Sequence, residues 1–329
     1  MKLRWMGWRS SFGYPWALFL IVLILPSNQA PLGALPSRFK RQRLLIVGCG
    51  DVGMRMVNKA AKHVRLLVLT TSAQRIGELR AKGCVPLLGD LDKPHTLRRL
   101  AGLANRIVHL APPPLQGWTD PRTLALTRAL RTRTLPVSFV YGSTSGVYGD
   151  CGGDWIDETR VVNPDTPRAR RRVHAESSVR FFGRSTAVTT SVLRIPGIYA
   201  NDREGGTPRD RLLKGTPVLQ ASDDVYTNHI HADDLASACM AAMWRAKPQR
   251  IYNCNDDTAF KMGDYFDFAA DLYGLPRPAR VPREGAREQL PLILLSFMSE
   301  SRRMCNDRLK QELGVRLQYP TVREGLALP

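Results

Sequence analysis

The chain has 329 residues, 43% of them hydrophobic, and a formal net charge of +19, enough for one large globular domain or a domain with a smaller lobe. The charge points toward a polyanionic partner, but only 10 of the 48 Lys+Arg are lysine and the arginines are scattered, which argues against a dedicated nucleic-acid face. Cys49, Cys84, Cys151, Cys239, Cys254 and Cys305 lie far apart with no Cys-x-x-Cys pair; that spacing argues against a zinc knuckle or disulfide scaffold and suits a reducing compartment.

Residues 1–42 form a separate segment. Lys2, Arg4 and Arg9 precede an apolar run from Trp16 to Leu25 that Pro26 stops. Ten residues fall short of the roughly 20 a helical span needs, so no stable membrane insertion is expected. A basic start before a short apolar core has the look of a secretory signal. Ser27-Asn28-Gln29-Ala30 with Pro31 directly after it is a poor cleavage region, and a start placed too far upstream explains the segment as well. The expectation is a cytoplasmic protein whose fold begins near Arg43.

From Arg43 onward short apolar runs alternate with longer helical patterns, the signature of a parallel sheet with crossover helices. Strands are read at Leu44 to Val47, Val64 to Leu69, Val85 to Leu88, Arg106 to Leu110, Val137 to Tyr141 and Val188 to Arg194. Helices are read at Gln74 to Lys82 and Pro121 to Arg133. After Pro196 the pattern turns irregular, with a Gly- and Pro-containing stretch from Asn201 to Pro217. The reading is an α/β doubly wound parallel sheet over 43–200 and a small C-terminal substrate lobe over 201–329, interleaved with the last sheet elements.

Gly48-Cys49-Gly50-Asp51-Val52-Gly53 is a Gly-x-Gly-x-x-Gly between a strand and a helix. Gly48 permits the tight turn and Gly50 lets backbone approach a pyrophosphate. Gly53 lets the helix pack closely on the strand, whose amides then face the anion. In this strand–turn–helix setting the motif predicts a dinucleotide cofactor. About 20 residues on, where NAD-specific folds place a carboxylate for the ribose hydroxyls, the chain has Thr70, Thr71 and Ser72, then Arg75. Hydroxyls and a guanidinium suit a 2′-phosphate, so NADP is favoured over NAD.

With these segments the chain resembles the NAD-dependent epimerase/dehydratase family, the extended short-chain dehydrogenases/reductases, from about Arg43 to the C-terminus. Gly89-Asp90-Leu91 is similar to the family's adenine-side turn, and His109-Leu110-Ala111-Pro112 to its cofactor-lining segment after the fourth strand. Ser143-Thr144-Ser145-Gly146-Val147-Tyr148-Gly149 resembles the active-site strand end, with Thr144 on the catalytic Ser/Thr position. Leu193-Arg194-Ile195-Pro196-Gly197-Ile198-Tyr199 is similar to the loop near the nicotinamide, and Asn228 to Asp234 matches a further segment. The resemblance implies a Rossmann-like fold, an NAD(P)-dependent oxidoreductase or epimerase activity on a small-molecule substrate, and a homodimer.

Two departures qualify that implication. Val47 stands where the family's usual first glycine would be. After Thr166-Pro167, Arg168 and Arg172 occupy the family's catalytic Tyr and Lys positions, and Ala175-Glu176 keeps the register. Arginine stays protonated up to pKa values above about 12 and is a poor proton shuttle but a good clamp for carboxylate or phosphate. One helical turn apart, Arg168 and Arg172 are expected to face one site, which points to an anionic substrate. Tyr199 is the candidate substitute proton donor. The alternative is a non-catalytic NAD(P)-binding module that senses redox state.

Three other constellations carry a plainer expectation. His229 and His231 before Asp233 and Asp234 have metal-ligand chemistry, but an aspartate there is expected to cap the following helix, and no metal site is expected. Asp157-Glu158 is read as a solvated loop pair, and Cys49 as a small space-filling thiol.

Overall fold

A computed structural model of the chain describes residues 42–60 and 64–327. The signal-like and upstream-start readings of the N-terminal segment lie outside the described residues.

The elements follow in chain order. The first half holds β1 (Arg43–Val47), α1 (Asp51–Ala60), β2 (Arg65–Thr70), α2 (Arg75–Ala81), β3 (Val85–Leu88) and β4 (Arg106–His109). It continues with α3 (Pro121–Leu130), β5 (Ser138–Thr144), β6 (Trp155–Ile156), α4 (Pro167–Arg184), β7 (Thr189–Ile195) and β8 (Gly197–Tyr199). Then come α5 (Arg209–Leu213), β9 (Val218–Leu219), β10 (His229–His231), α6 (Ala232–Arg245), β11 (Arg250–Asn253) and α7 (Met262–Tyr273). The last are β12 (Arg280–Val281), α8 (Arg283–Gln289), α9 (Leu292–Met298), β13 (Arg303–Met304), α10 (Asp307–Gln311) and α11 (Val322–Leu326).

Seven strands form one parallel sheet in the order β11-β7-β5-β4-β1-β2-β3. The apolar runs read from the sequence supply six of its strands. Both faces of the central strands are covered, so these bury alternate residues on opposite sides rather than showing a polar face, while the edge strand β3 is half-buried to exposed. Leu44, Ile46, Leu66 and Val68 pack against Met56 of α1 and Leu235, Cys239 and Met243 of α6. On the other face Leu45, Leu67, Ile107 and Phe139 meet Leu126 and Leu130 of α3 and Val179 and Phe182 of α4. This is the Rossmann-like architecture expected.

The chain order reverses between β1 and β4, the switch point at which a cleft opens beyond the carboxyl ends of the strands. Pro196 interrupts the sheet at the end of β7, and β8 leaves to pair with β10. A smaller core of Leu212, Val218, Val225, Met262, Phe266 and Ala269 stands beyond that edge. Residues past Asn201 also return to the main sheet: β11 pairs with β7, Ile251 opposite Val192. None of the described helices is long and apolar enough to cross a membrane.

Candidate active site

The glycine loop is held by the strand beside it. Gly48 has a φ of 87°, and a side chain there would bring its Cβ to 2.2 Å from the Ala111 nitrogen. Ala111 itself donates to the Val47 carbonyl at 3.1 Å, so only glycine fits this turn. Gly50 meets nothing within 4 Å, leaving backbone open to the cleft as a pyrophosphate cradle requires. Cys49 is buried and its thiol is pushed up to about 11, chiefly by burial, so it stays protonated and fills space.

Two cavities meet here. The narrower, about 310 Å³, is lined by Gly48, Gly50, Asp51, Val52 and Gly53 on one side. Ser143, Thr144, Arg172 and Pro196 line its other side. The wider, about 580 Å³, is lined by Thr144, Arg168, Pro196 and Tyr199 together with side chains of the smaller core. Thr144, Pro196, Ile198 and Arg203 belong to both. Thr144 ends β5 and its Oγ1 accepts from the Gly146 amide at 3.3 Å, capping the turn that follows.

The remaining expected cofactor residues ring the ends of β2, β3 and β4. Thr70 is buried, and its Oγ1 accepts from the Ser72 amide at 3.2 Å, whereas Thr71 is exposed. Arg75 reaches back to the glycine loop, its Nη1 donating to the Cys49 carbonyl at 2.7 Å. Asp90 accepts from the Asp92 amide at 2.9 Å, and Leu91 packs on the core below. The Pro112 carbonyl accepts from Arg122 at 3.1 Å.

Thr166 accepts from the Ala169 amide at 3.1 Å and Pro167 opens α4, which sets the phase of the arginine run. Arg168 and Arg172 line different cavities. Arg168 lies over the Phe297 ring at 4.8 Å, and burial lowers its pKa. Arg172 donates through Nη1 to the Gly142 carbonyl at 2.6 Å and to the Tyr141 hydroxyl at 3.1 Å. Arg171 donates to the Gly117 carbonyl at 2.6 Å, and Arg170 stacks on Trp118. The Tyr199 ring lines the wider cavity, but its hydroxyl donates to the Thr321 carbonyl at 3.2 Å. Burial, then Asp256, raises the Tyr199 phenol well above its ordinary value.

Two plainer expectations need correction. The cap of α6 is His231, whose Nδ1 accepts from the Asp233 amide at 3.2 Å; burial lowers its pKa, which keeps that nitrogen free to accept. Asp234 instead accepts from the Gln318 and Tyr319 amides at 2.8 and 2.9 Å. Glu158 is not solvated: it is buried, accepts from the Asn253 amide at 2.9 Å and pairs with Arg308 at 3.3 Å. Among the described residues no group of three or more His, Cys, Asp or Glu has metal-site geometry.

Several site residues escaped the sequence reading. Arg203 crosses to the glycine loop and pairs with Asp51 at 2.7 Å, while Asp51 also pairs with Arg55 at 3.1 Å. Arg211, Phe297, Glu300 and Arg302 complete the wall of the wider cavity. No local pattern marks them, because they reach the site only through tertiary packing.

Comparison with known proteins bears on the same segments. A solved structure of a functionally unknown conserved protein from Silicibacter pomeroyi is 31% identical, covering 87% of this chain and 96% of that one, with a TM-score of 0.72. The UDP-glucose 4-epimerase of Thermotoga maritima, solved with UDP-glucose, is 18% identical over 87% of this chain and 97% of its own, with a TM-score of 0.70. That likeness shows the fold alone. A curated Streptomyces protein named 3-diazoavenalumate denitrifying reductase is 25% identical over 174 residues, 52% of this chain and 57% of the relative; the match thus spans little more than half of that relative. The family model described as NAD dependent epimerase/dehydratase matches residues 52–254, from the helix behind the glycine loop to the last strand of the sheet. That match takes in Thr144, Arg168 and Arg172, and the chain belongs to the NAD dependent epimerase/dehydratase family.

Proposed function

We propose that this chain is an NAD(P)-binding oxidoreductase or epimerase-like enzyme that acts on a small anionic substrate with non-standard catalytic residues. The observation that carries the reading is the junction of two cavities at Thr144, one backed by the glycine loop and the other by Arg168. The open backbone at Gly50 and the tight turn at Gly48 fit a dinucleotide. A nicotinamide cofactor bound there supplies or accepts hydride. Gly48, Gly50, Asp51, Val52 and Gly53 would hold its pyrophosphate through the backbone of the turn, and Thr70, Thr71, Asp90, Leu91, Ala111, Pro112 and Pro196 would border the rest. Arg75, at the carbonyl of the loop, favours NADP over NAD.

In the wider cavity Thr144 hydrogen-bonds the reacting oxygen of the substrate. Arg168 offers permanent positive charge where negative charge develops, without passing a proton. Arg172 braces the end of β5 through the Gly142 carbonyl. The Tyr199 phenol, engaged with Thr321 and raised in pKa, is a poor proton donor. The second reading, a redox sensor without turnover, draws on that absence of an evident acid–base pair.

The test is a fluorescence titration of the full chain with NADPH and NADH, followed by hydride exchange against carbonyl and alcohol panels that include acids and phosphate esters. NADPH is expected to bind more tightly than NADH, and Arg75→Ala to remove that difference. Failure of both nucleotides to bind would sink the enzymatic and sensor readings together. Binding without turnover on any compound leaves only the sensor.

A further inference from the structure

The wider cavity holds a charge that the chain itself does not answer. Four arginines line it. Arg203 is paired with Asp51 at 2.7 Å, and Arg302 with Glu300 at 2.8 Å. Arg168 and Arg211 have no carboxylate within ion-pair distance among the described residues. Glu300 is the cavity's one acidic lining residue and is already taken by Arg302. His229 contributes no charge at neutral pH, because burial pushes it down to about 4.

Arg211 is the more exposed of these two to an energetic penalty. Its Nε and Nη2 are shut from solvent and have no hydrogen-bond partner, an arrangement that is costly for a cation unless an acceptor arrives. The guanidinium lies 4.2 Å from the Phe266 ring centre, and burial lowers its pKa. The unpartnered Nε and Nη2 form the fork, the edge of a guanidinium that grips a carboxylate through two parallel hydrogen bonds. Arg211 sits on α5 and Phe266 on α7, in the wall of the smaller core, whereas Arg168 sits on α4 beside Phe297 of α9.

We propose that Arg211 is the anchor for the carboxylate of an aromatic-acid substrate, whose flat body lies between the aromatic walls of the wider cavity. The inference rests on reading that cavity as the substrate site, and it deepens that reading by naming the ligand class. Phe266, Phe297, Tyr226 and Tyr265 supply the walls, which favour a planar apolar body. A carboxylate is preferred over a phosphate at Arg211 because its single guanidinium, set against Phe266, neutralises one charge, while the other unpaired arginine, Arg168, lies on a different wall beside Phe297. A dianion held at Arg211 alone would leave its second charge desolvated, and α5, at five residues, offers no helix terminus to share it. Engaging the fork requires a shift of Arg211 or of α5, which Gly205 and Gly215, both at a φ of 61°, bracket.

The experiment is calorimetric titration of the full chain with benzoate, trans-cinnamate and indole-3-acetate, each beside its neutral amide, and with benzyl phosphate. Each series is run with and without NADPH, whose own binding is measured in the same samples. At least one acid should bind about tenfold or more tightly than its amide. Arg211→Gln should abolish that preference and Arg211→Lys retain part of it, while exposed Arg277→Gln leaves it intact. The proposal is overturned if no acid outbinds its amide, if the preference survives Arg211→Gln, or if benzyl phosphate outbinds benzoate. Unchanged NADPH affinity in a variant without acid preference confines the loss to Arg211. Loss of NADPH binding by the unmodified chain counts instead against the cofactor reading.

Discussion

Glu176 and Arg194 form an ion pair at 2.9 Å in the interior, with side chains only 6% and 4% exposed. The same carboxylate accepts a 2.6 Å hydrogen bond from Ser143, the residue before Thr144. Arg194 also lies over the Tyr148 ring at 4.5 Å. The pair therefore ties α4, which carries Arg168, to the strand end that carries Thr144. Replacing one partner strands the other charge in the core. Glu176→Gln is expected to cost about 3 kcal/mol or more of stability in urea unfolding. Arg194→Met with Glu176→Leu should cost less than the single change. Equal stability of Glu176→Gln and the unmodified chain would refute the structural role.

The glycine loop separates a folding role from a binding one. Gly48→Ala combines a positive φ with a 2.2 Å clash against backbone, so a loss of about 3 kcal/mol or more is expected. Gly50→Ala meets open space and should melt within about 2 °C of the unmodified chain, yet bind NADPH about tenfold more weakly because its methyl projects into the cradle. Thermal melts and titrations on both variants check the contrast. Undiminished NADPH binding by Gly50→Ala would remove the pyrophosphate from this turn.

Arg168→Tyr with Arg172→Lys puts at these two positions the Tyr and Lys that the family resemblance implies there. Hydride exchange that appears only in the double variant favours the sensor reading. Turnover already present in the unmodified chain removes it, and the double variant should then lose preference for anionic substrates. The comparison is made on initial rates at saturating NADPH.

Burial pushes the Asp256 carboxyl up from its ordinary 3.8 to about 7. Between those values the folded protein holds a proton that the unfolded chain releases. Stability from this group is therefore full below about pH 4 and is lost as pH rises toward 7. The slope is about 1.4 kcal/mol per pH unit at most. Asp256→Asn should flatten it, so the urea midpoints of the two proteins should diverge in the variant's favour from pH 4.5 to 6.5. Parallel midpoints across that range would place the titration elsewhere.

The sheet and the glycine turn were legible in the sequence because both arise from local pattern. Strands β1, β2, β4, β5 and β7 are largely buried apolar runs, β3 is a half-buried one at the sheet edge, and the turn at Gly48 is written in three glycines between a strand and a helix. Arg168 and Arg172, one helical turn apart, were expected to face one site, yet they line different cavities. Residues that act across long separations were not legible. Arg203 meets Asp51 from 152 positions away, and β11 joins β7 although its surroundings read as irregular. Glu158 looked like a loop carboxylate until Asn253 and Arg308 closed over it. Periodicity and turn chemistry thus determined the fold and the place of the glycine turn. Which arginines are paired, which hydroxyl is engaged and which walls face Thr144 were decided by tertiary packing, because burial and charge pairing depend on partners that chain neighbours do not specify.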